Sequence, residues 1–447
     1  MGGFTSPGAD EKKNLLSILG APSFEALLSG IPNALCCSTG LNLPDGISEV
    51  EALRKLSLLS AKNAGTDTWN AFLGAGIYDH FVPAATGALV SRSEFLTAYT
   101  PYQAEVSQGT LQSIYEYQSL ICELTGMEVS NASMYDGATA LAEAAIMAQA
   151  VHRKGSKFIV PESLNPLYLR VLKTYMKGLK IEIVEARAAA QGTIDVDHLK
   201  KLLGAEVFGV ALQTPNFFGV VEDIAAIAEL KKIHDFALVV SPNLLSLALL
   251  EAPGNLGADI CAGEAHYLAG GPSFGGPLLG FMAAKQQHLR QMPGRIVGKT
   301  VDKEGKAGFV LTAQTREQHI RREKATSNIC SNEGLLALSA TITLSLLGKE
   351  GLLKMAGLNV SKTQYALSRF RKARKAALTY SGPVFNEFVV ELKEETLDQL
   401  FARAREKKIL PGVRMDKLDR KFDKKILICV TEKKTKDDID ALIALFE

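Results

Sequence analysis

The chain of 447 residues has no lysine between Lys232 and Lys285 and no aspartate between Asp235 and Asp259. Over that stretch no side-chain amine can form an imine with a carbonyl group. Cysteine is scarce and unpaired. Cys36, Cys37, Cys122, Cys261, Cys330 and Cys429 include no CxxC pair, which argues against a disulfide framework or a zinc site and for a reducing compartment. Adjacent Cys36 and Cys37 read as packing residues. Charge of one sign is missing too: 50 basic and 48 acidic residues leave a formal charge of +2, too weak a field to imply a nucleic-acid partner. No apolar run reaches the ~18 residues of a membrane span. The opening MGGFTSPGADEKKN has neither an apolar signal core nor an Arg-rich transit pattern, and Gly2 with Ser6 is only a short match to a lipidation pattern. The expectation is a cytoplasmic chain with no metal centre.

What is present is ordinary globular composition, 47% hydrophobic and 22% charged, in a chain long enough for two or three domains. Residues 1–65 read as an N-terminal helical arm. Asp10 is placed to cap a first helix that Gly20 stops, Ser23 to cap a second, and Ser48 with Glu51 has capping-box spacing. Residues 66–330 alternate helix and strand. Helices are expected at 105–125, 137–152, 164–177, 195–203 and 224–233. Strands are expected at 157–160, 180–184, 207–213, 237–240, 258–262 and 280–283. Such alternation implies a mostly parallel sheet with helices on both faces. Residues 331–447 open with a long helix, 332–347, followed by another, 351–368, with a basic run at 369–375 that reads as a solvated helix face. Strand 387–392, helix 395–407, strand 425–431 and helix 436–446 then make a small α+β domain.

This is the plan of the aspartate-aminotransferase-like α/β fold of pyridoxal-phosphate (PLP) transferases. Such an enzyme needs a Schiff-base lysine, an acid for the pyridinium nitrogen and an anion site for the phosphate. After the strand at 237–240 the chain offers Ser241, Pro242 and Asn243, and no carboxylate. After the strand at 258–262 it offers His266 and Tyr267, and no amine. At the start of the helix at 137, Asp136 suits an N-cap and repels a dianion. All three requirements fail. The Gly-rich 270–280 loop matches no phosphate-cradle motif and reads as tight turns. His80, in a Gly- and Pro-flanked loop, is open to a site role or a structural one. Arg321, Arg322 and Lys324 are open to contacting an anion across an interface or to being solvated helix charges. An independent PLP enzyme would have to use a lysine outside the lysine-free stretch, for example Lys285, which follows a strand and precedes a helix start.

Four runs carry a resemblance: FLGAGIYDHFVPA (72–84), SRSEFLTAYTPYQAEVSQGTLQSIYEYQ (91–118), ELTGMEVSNASMYDGATALAEA (123–144) and QTREQHIRREKATSNICSNEGLLAL (314–338). Almost end to end the chain resembles the P-proteins of the glycine cleavage system, glycine dehydrogenase (decarboxylating), and within them the first subunit of the two-chain form. The resemblance implies that a second subunit of similar fold carries the PLP, in a heterotetramer with two copies of each chain. It implies decarboxylation of glycine and transfer of the aminomethyl group to the lipoyl arm of H-protein. It explains the missing lysine. Tyr99, Thr100, Pro101, Tyr102 and Gln103 then fit an entrance wall to the shared site. There Tyr102 is open to donating a proton or to packing, and His80 is a further contributor. Ser107, Gln108 and Gly109 could cap the following helix or face the site, with capping the default. Thr326 and Ser327 resemble a hydroxyl pair lent to the partner's PLP phosphate. The alternative is a non-catalytic scaffold or regulatory pseudoenzyme that stabilises the PLP subunit.

Overall fold

The computed structural model describes residues 8–36, 40, 42–96, 98–152, 154–325 and 327–447. The chain divides into two compact units, residues 1–63 and 64–447.

The first unit holds the helices Ala9–Ile18, Phe24–Leu27 and Glu49–Ser60. Ser23 caps the second and Ser48 with Glu51 closes a capping box on the third. Asp10 is not the cap expected of it. The N-cap is Gly8, whose N–H donates to Glu11 at 2.9 Å. None of these helices buries a residue, and Val50, Leu53, Leu56 and Leu59 stand exposed at three-residue spacing. Isolated helices this short are marginal in water. A peptide of residues 8–63 should therefore show little helical circular dichroism by itself and gain it when its apolar stripe is covered, for example in micellar detergent. A strongly helical signal from the free peptide would contradict this.

The second unit is built on a seven-stranded sheet. Its order is Val129–Ser130, Gly280–Ala284, Ile260–Glu264, Ala237–Pro242, Val207–Thr214, Lys157–Pro161 and Glu182–Ala186. The five strands from Ile260–Glu264 to Glu182–Ala186 are parallel; Gly280–Ala284 pairs antiparallel with Ile260–Glu264, and Val129–Ser130 pairs antiparallel with Gly280–Ala284. Side-chain alternation sorts each strand between two cores. Ile159, Val210, Leu212, Leu238 and Val240 face one. Phe158, Val160, Phe208, Ala211 and Val239 face the other. Both faces are covered, so the strands read as continuous apolar runs. Gly137–His152 and Pro166–Lys177 cover one face, and Gln108–Thr125, Val196–Leu202 and Ile224–Glu229 the other. Asn165, Asp195 and Asp223 cap the three helices that follow them.

A hairpin, Ile296–Val301 with Ala307–Thr312, extends from the sheet's antiparallel edge. It was not evident from periodicity, because its outer residues are polar or half-exposed. Two strands also start two residues later than their apolar pattern suggests, Glu182 rather than 180 and Ile260 rather than 258. Just before the second of these, the Asp259 carboxylate accepts from Lys231 Nζ at 2.5 Å, the Leu238 N–H at 2.8 Å and Lys285 Nζ at 2.9 Å, while its backbone bonds Leu238 and Lys285. The two helices expected after 331 form one element, Gly334–Phe370, bent at Gly348 (φ 58°). By length and composition it passes the test for a membrane span. Yet Ala337, Ala340 and Leu344 are buried in the sheet core and Ala366 and Phe370 in the smaller one, which is how a core helix behaves. The smaller core lies under a second, antiparallel sheet: Ala376–Leu378, Glu387–Leu392, Lys425–Cys429 and Val413–Arg414.

Glu387 ties this second sheet to the loop around residue 78. Its buried carboxyl accepts from the Ala75 N–H and the Tyr78 hydroxyl, each at 2.7 Å. Burial pushes its pKa up to about 7 against the pull of those two donors. Unfolded, a glutamate titrates near 4.3. Between those values the folded state holds a proton that the unfolded state has lost, so stability falls as pH rises through the window. Relative to Glu387→Gln, the wild type should lose about 3 kcal/mol of unfolding free energy between pH 4.5 and 7.5. Urea titrations at several pH values check this, and parallel pH profiles would refute it.

Candidate active site

In open α/β sheets ligands bind beyond the carboxyl ends of the parallel strands. Here those ends are Gln213 and Thr214, Ser241 to Asn243, and Glu264 to Tyr267. The helix Gly137–His152 begins against them, and the first amides of a helix need acceptors. The chain supplies these itself. Glu264 Oε2 accepts from Gly137 N–H at 2.9 Å, and Asp136 Oδ1 accepts from the Ala138 and Thr139 N–H groups at 2.9 Å. The other Glu264 oxygen accepts from the Leu279 and His266 N–H groups at 2.9 and 3.0 Å. Asp136 thus caps as expected, and Glu264 is a second carboxylate that the sequence did not reveal.

Aromatic side chains close the rest of the cup. Only glycine fits at 137, since a Cβ there would lie 2.3 Å from the Tyr168 hydroxyl and 2.8 Å from Glu264 N. Tyr78, Tyr168, Tyr267, Ser241, Asn243 and Glu264 line what remains, a cavity of about 30 Å³, room for a water or two. Burial, with the nearby Glu264 charge, drives the Tyr168 phenol well above its ordinary pKa, so it stays protonated. Asn243 Oδ1 takes the Leu245 N–H at 3.0 Å and the Tyr267 hydroxyl at 3.3 Å, so it serves a turn. His266 stands where an amine would be needed, with Nδ1 3.2 Å from Glu264. Lys285 is at the wrong end of the sheet. Its neighbour Ala284 pairs with Ile260, whereas Glu264 pairs with Gly280, so about 14 Å of strand intervenes. Its Nζ is paired with Asp259. The residues present therefore do not fit PLP: the phosphate position holds carboxylates, the ring position is filled, and no amine among the described residues reaches it.

A larger cavity, about 180 Å³, lies elsewhere on the same unit. Phe95, Leu335 and Leu338 give it an apolar side, and Thr100, Ser113 and Ser331 a hydroxyl side. Of the expected entrance residues, Pro101 is buried and Thr100 half-buried. Tyr99 and Tyr102 are 82% and 73% exposed, their ring centroids 6.4 Å apart. Gln103 is exposed and makes no side-chain cap to the turn that follows. Behind the wall sits Arg295, which sequence reasoning missed. Its Nη1 lies 3.4 Å from Thr100 Oγ1 and 3.3 Å from Ser331 Oγ, and its Cζ is 6.0 Å from the Tyr102 ring centroid. Gln108, expected to cap the helix or face the site, does neither by its side chain. Its amide receives the Phe309 N–H and donates to the Phe309 and Ala104 carbonyls at 2.7 to 2.9 Å, clamping the hairpin to the entrance helix. Ser107, the cap expected by default, makes no side-chain capping bond.

His80 is not brought to the entrance. It is buried with Nδ1 2.8 Å from Glu432, and its ring packs at 5.6 Å on Tyr267 and Tyr78. Burial raises the Glu432 pKa, but its bonds to His80, the Phe81 N–H and Asn359 outweigh that and leave it lowered. Ser327 is engaged within the chain. Its Oγ accepts from the Ile329 N–H at 3.1 Å and bonds Glu143, whose carboxyl burial pushes up to about 7. Thr326 lies outside the described residues. Arg321, Arg322 and Lys324 are exposed on short helical turns, with Arg322 at φ 52°.

The sequence model of the glycine cleavage system P-protein matches residues 3–446. Among curated relatives, the probable glycine dehydrogenase (decarboxylating) subunit 1 of Desulfitobacterium hafniense is 47% identical over 97% of each chain. That of Carboxydothermus hydrogenoformans is 47% identical over 98% of each. Among solved structures, a crystal structure of glycine decarboxylase (P-protein) of the glycine cleavage system in inhibitor-bound form superposes with a TM-score of 0.87, at 36% identity and over 99% of each chain. Lactobacillus brevis glutamate decarboxylase, at 12% identity and a TM-score of 0.67, shares the fold. The chain belongs to the glycine cleavage system P-protein family.

Proposed function

We propose that this chain is the first subunit of a two-chain glycine dehydrogenase (decarboxylating). In this reading a PLP-bearing partner subunit holds the cofactor, two copies of each chain assemble, and the aminomethyl group left after CO2 release passes to the lipoyl arm of H-protein in the cytoplasm. The observation that carries it is the cup at Gly137, closed by Glu264 and Asp136 in a chain whose relatives are named as one subunit of this enzyme. On the partner, PLP supplies the electron sink.

This chain's residues do the rest by position. Thr100 and Pro101 fix the inner wall. Tyr99 and Tyr102 present large rigid rings to whatever covers them, which excludes water and raises the strength of every polar contact at the site. Tyr102 acts through its ring rather than its hydroxyl, since the ring covers Arg295.

Two measurements test this. The isolated chain, mixed with PLP, should show no absorbance band of bound cofactor, while the co-expressed two-chain complex should. A band from the isolated chain would overturn the assignment of the cofactor to the partner. In the glycine–CO2 exchange assay with lipoylated H-protein, Thr100→Ala and Tyr102→Ala should each lose about 10- to 100-fold through misplacement of the wall. Tyr102→Phe should stay within about threefold, because the packing ring remains. Unchanged exchange in both alanine variants, with the complex intact, would reduce the chain to a scaffold.

A further inference from the structure

Arg295 is only 6% exposed, and no acidic side chain lies within salt-bridge distance of it among the described residues. Its five N–H groups form two sets. The two on Nη1 reach the hydroxyls of Thr100 and Ser331. The three on Nε and Nη2 have no partner among the described residues. Neither Nε nor Nη2 is among the side-chain nitrogens sealed from solvent without a partner, so this edge of a largely buried cation stays open, and hydroxyl dipoles alone do not supply it with a counter-charge.

The position is also held firmly. The Arg295 carbonyl accepts from Ala132 N–H at 2.8 Å. Gly294, at φ 77°, passes 3.1 Å from Asn131 where a Cβ would stand, and its carbonyl is taken by Arg316 at 2.8 Å. A preorganised guanidinium with one edge unused is built to take a carboxylate through two parallel hydrogen bonds.

Resting on the function proposed above, we propose that Arg295 is an anion-binding residue of the shared site, whose Nε–Nη2 edge takes a carboxylate brought by the complex. That carboxylate comes from one of two sources, the α-carboxylate of the amino-acid substrate or an acidic side chain of the partner subunit.

The test uses the assembled two-chain complex with R295Q and R295K. Glycine binding is read from the cofactor's absorbance and subunit association from analytical ultracentrifugation at two salt concentrations. Methylamine, which is glycine without its carboxylate, is the control ligand. If the substrate is the source, R295Q weakens glycine about 10- to 100-fold and leaves methylamine within threefold, and R295K restores only part because it lacks the fork. If the partner is the source, R295Q weakens association by a similar factor and flattens its salt dependence, while glycine binding by the assembled complex is unchanged. Equal weakening of glycine and methylamine, or association weakened alike at both salt concentrations, would mean that Arg295 only holds Thr100 and Ser331, and would overturn the proposal. So would no change in any readout. A wild-type complex that assembles but releases no CO2 from glycine would sink the proposed function, and the association arm would still decide Arg295.

Discussion

The structure turns on the acceptors given to the first amides of the helix Gly137–His152. A helix start aimed at the ends of parallel strands concentrates unsatisfied N–H groups and a positive field at one point. Most sites of this architecture meet that demand with a ligand's phosphate. Here Glu264 and Asp136 meet it. Everything nearby follows from that substitution. Glu264 must reach across from its strand, so its second oxygen gathers the amides of His266 and Leu279 and fixes the chain after the strand. Gly137 must lack a side chain so that Tyr168 can close over the carboxylate. Tyr267 then fills the space behind and binds Asn243 and Leu244.

A core completed by its own side chains does not depend on a cofactor for stability. Ligand-linked stabilisation disappears when the ligand's position is occupied internally. The fold is thereby free to serve as a rigid mount. What it mounts is the segment from Ala98 to Gln103, set against the start of the long helix at Gly334 and the hairpin at Ile296. Gln108 and Gln118 clamp that hairpin through paired backbone bonds, Gln118 with Val297 at 2.9 Å. The entrance segment is thus a loop on a stiff base, the arrangement in which loops usually carry function.

The sequence disclosed absences better than presences. The missing lysine, the Asn at 243 and the Asp at 136 are each local, and each can be read from a few residues once the strand order is known. Glu264 could not be read this way. It lies 127 residues from the amide it serves, at the end of a strand that runs two residues beyond the one the apolar pattern marks. Arg295 was invisible for a related reason. Its partners Thr100 and Ser331 are 195 and 36 residues away, and an arginine before an apolar dipeptide carries no signal of being buried. His80 was open to a site or a structural role from its Gly- and Pro-flanked loop, and what decides its surroundings is again remote: Glu432, 352 residues on, holds it in the interior.

Two features of the chain make sense together only if it is one part of a larger site. In the vestigial cup Glu264 and Asp136 are spent on the chain's own amides, Asn243 Nδ2 and His266 Nε2 stay buried without a partner among the described residues, and the space that remains is too small for a substrate. The entrance wall shows the reverse. It exposes two tyrosine rings and shelters a guanidinium with an unused edge, both unfavourable in a finished surface. An enzyme that had lost its cofactor and its role would gain stability by covering the rings and neutralising the arginine, since stabilising changes are readily found where function does not forbid them. A surface kept both aromatic and cationic beside a closed core is instead what a chain needs if the charge and the cofactor that complement it arrive on another one.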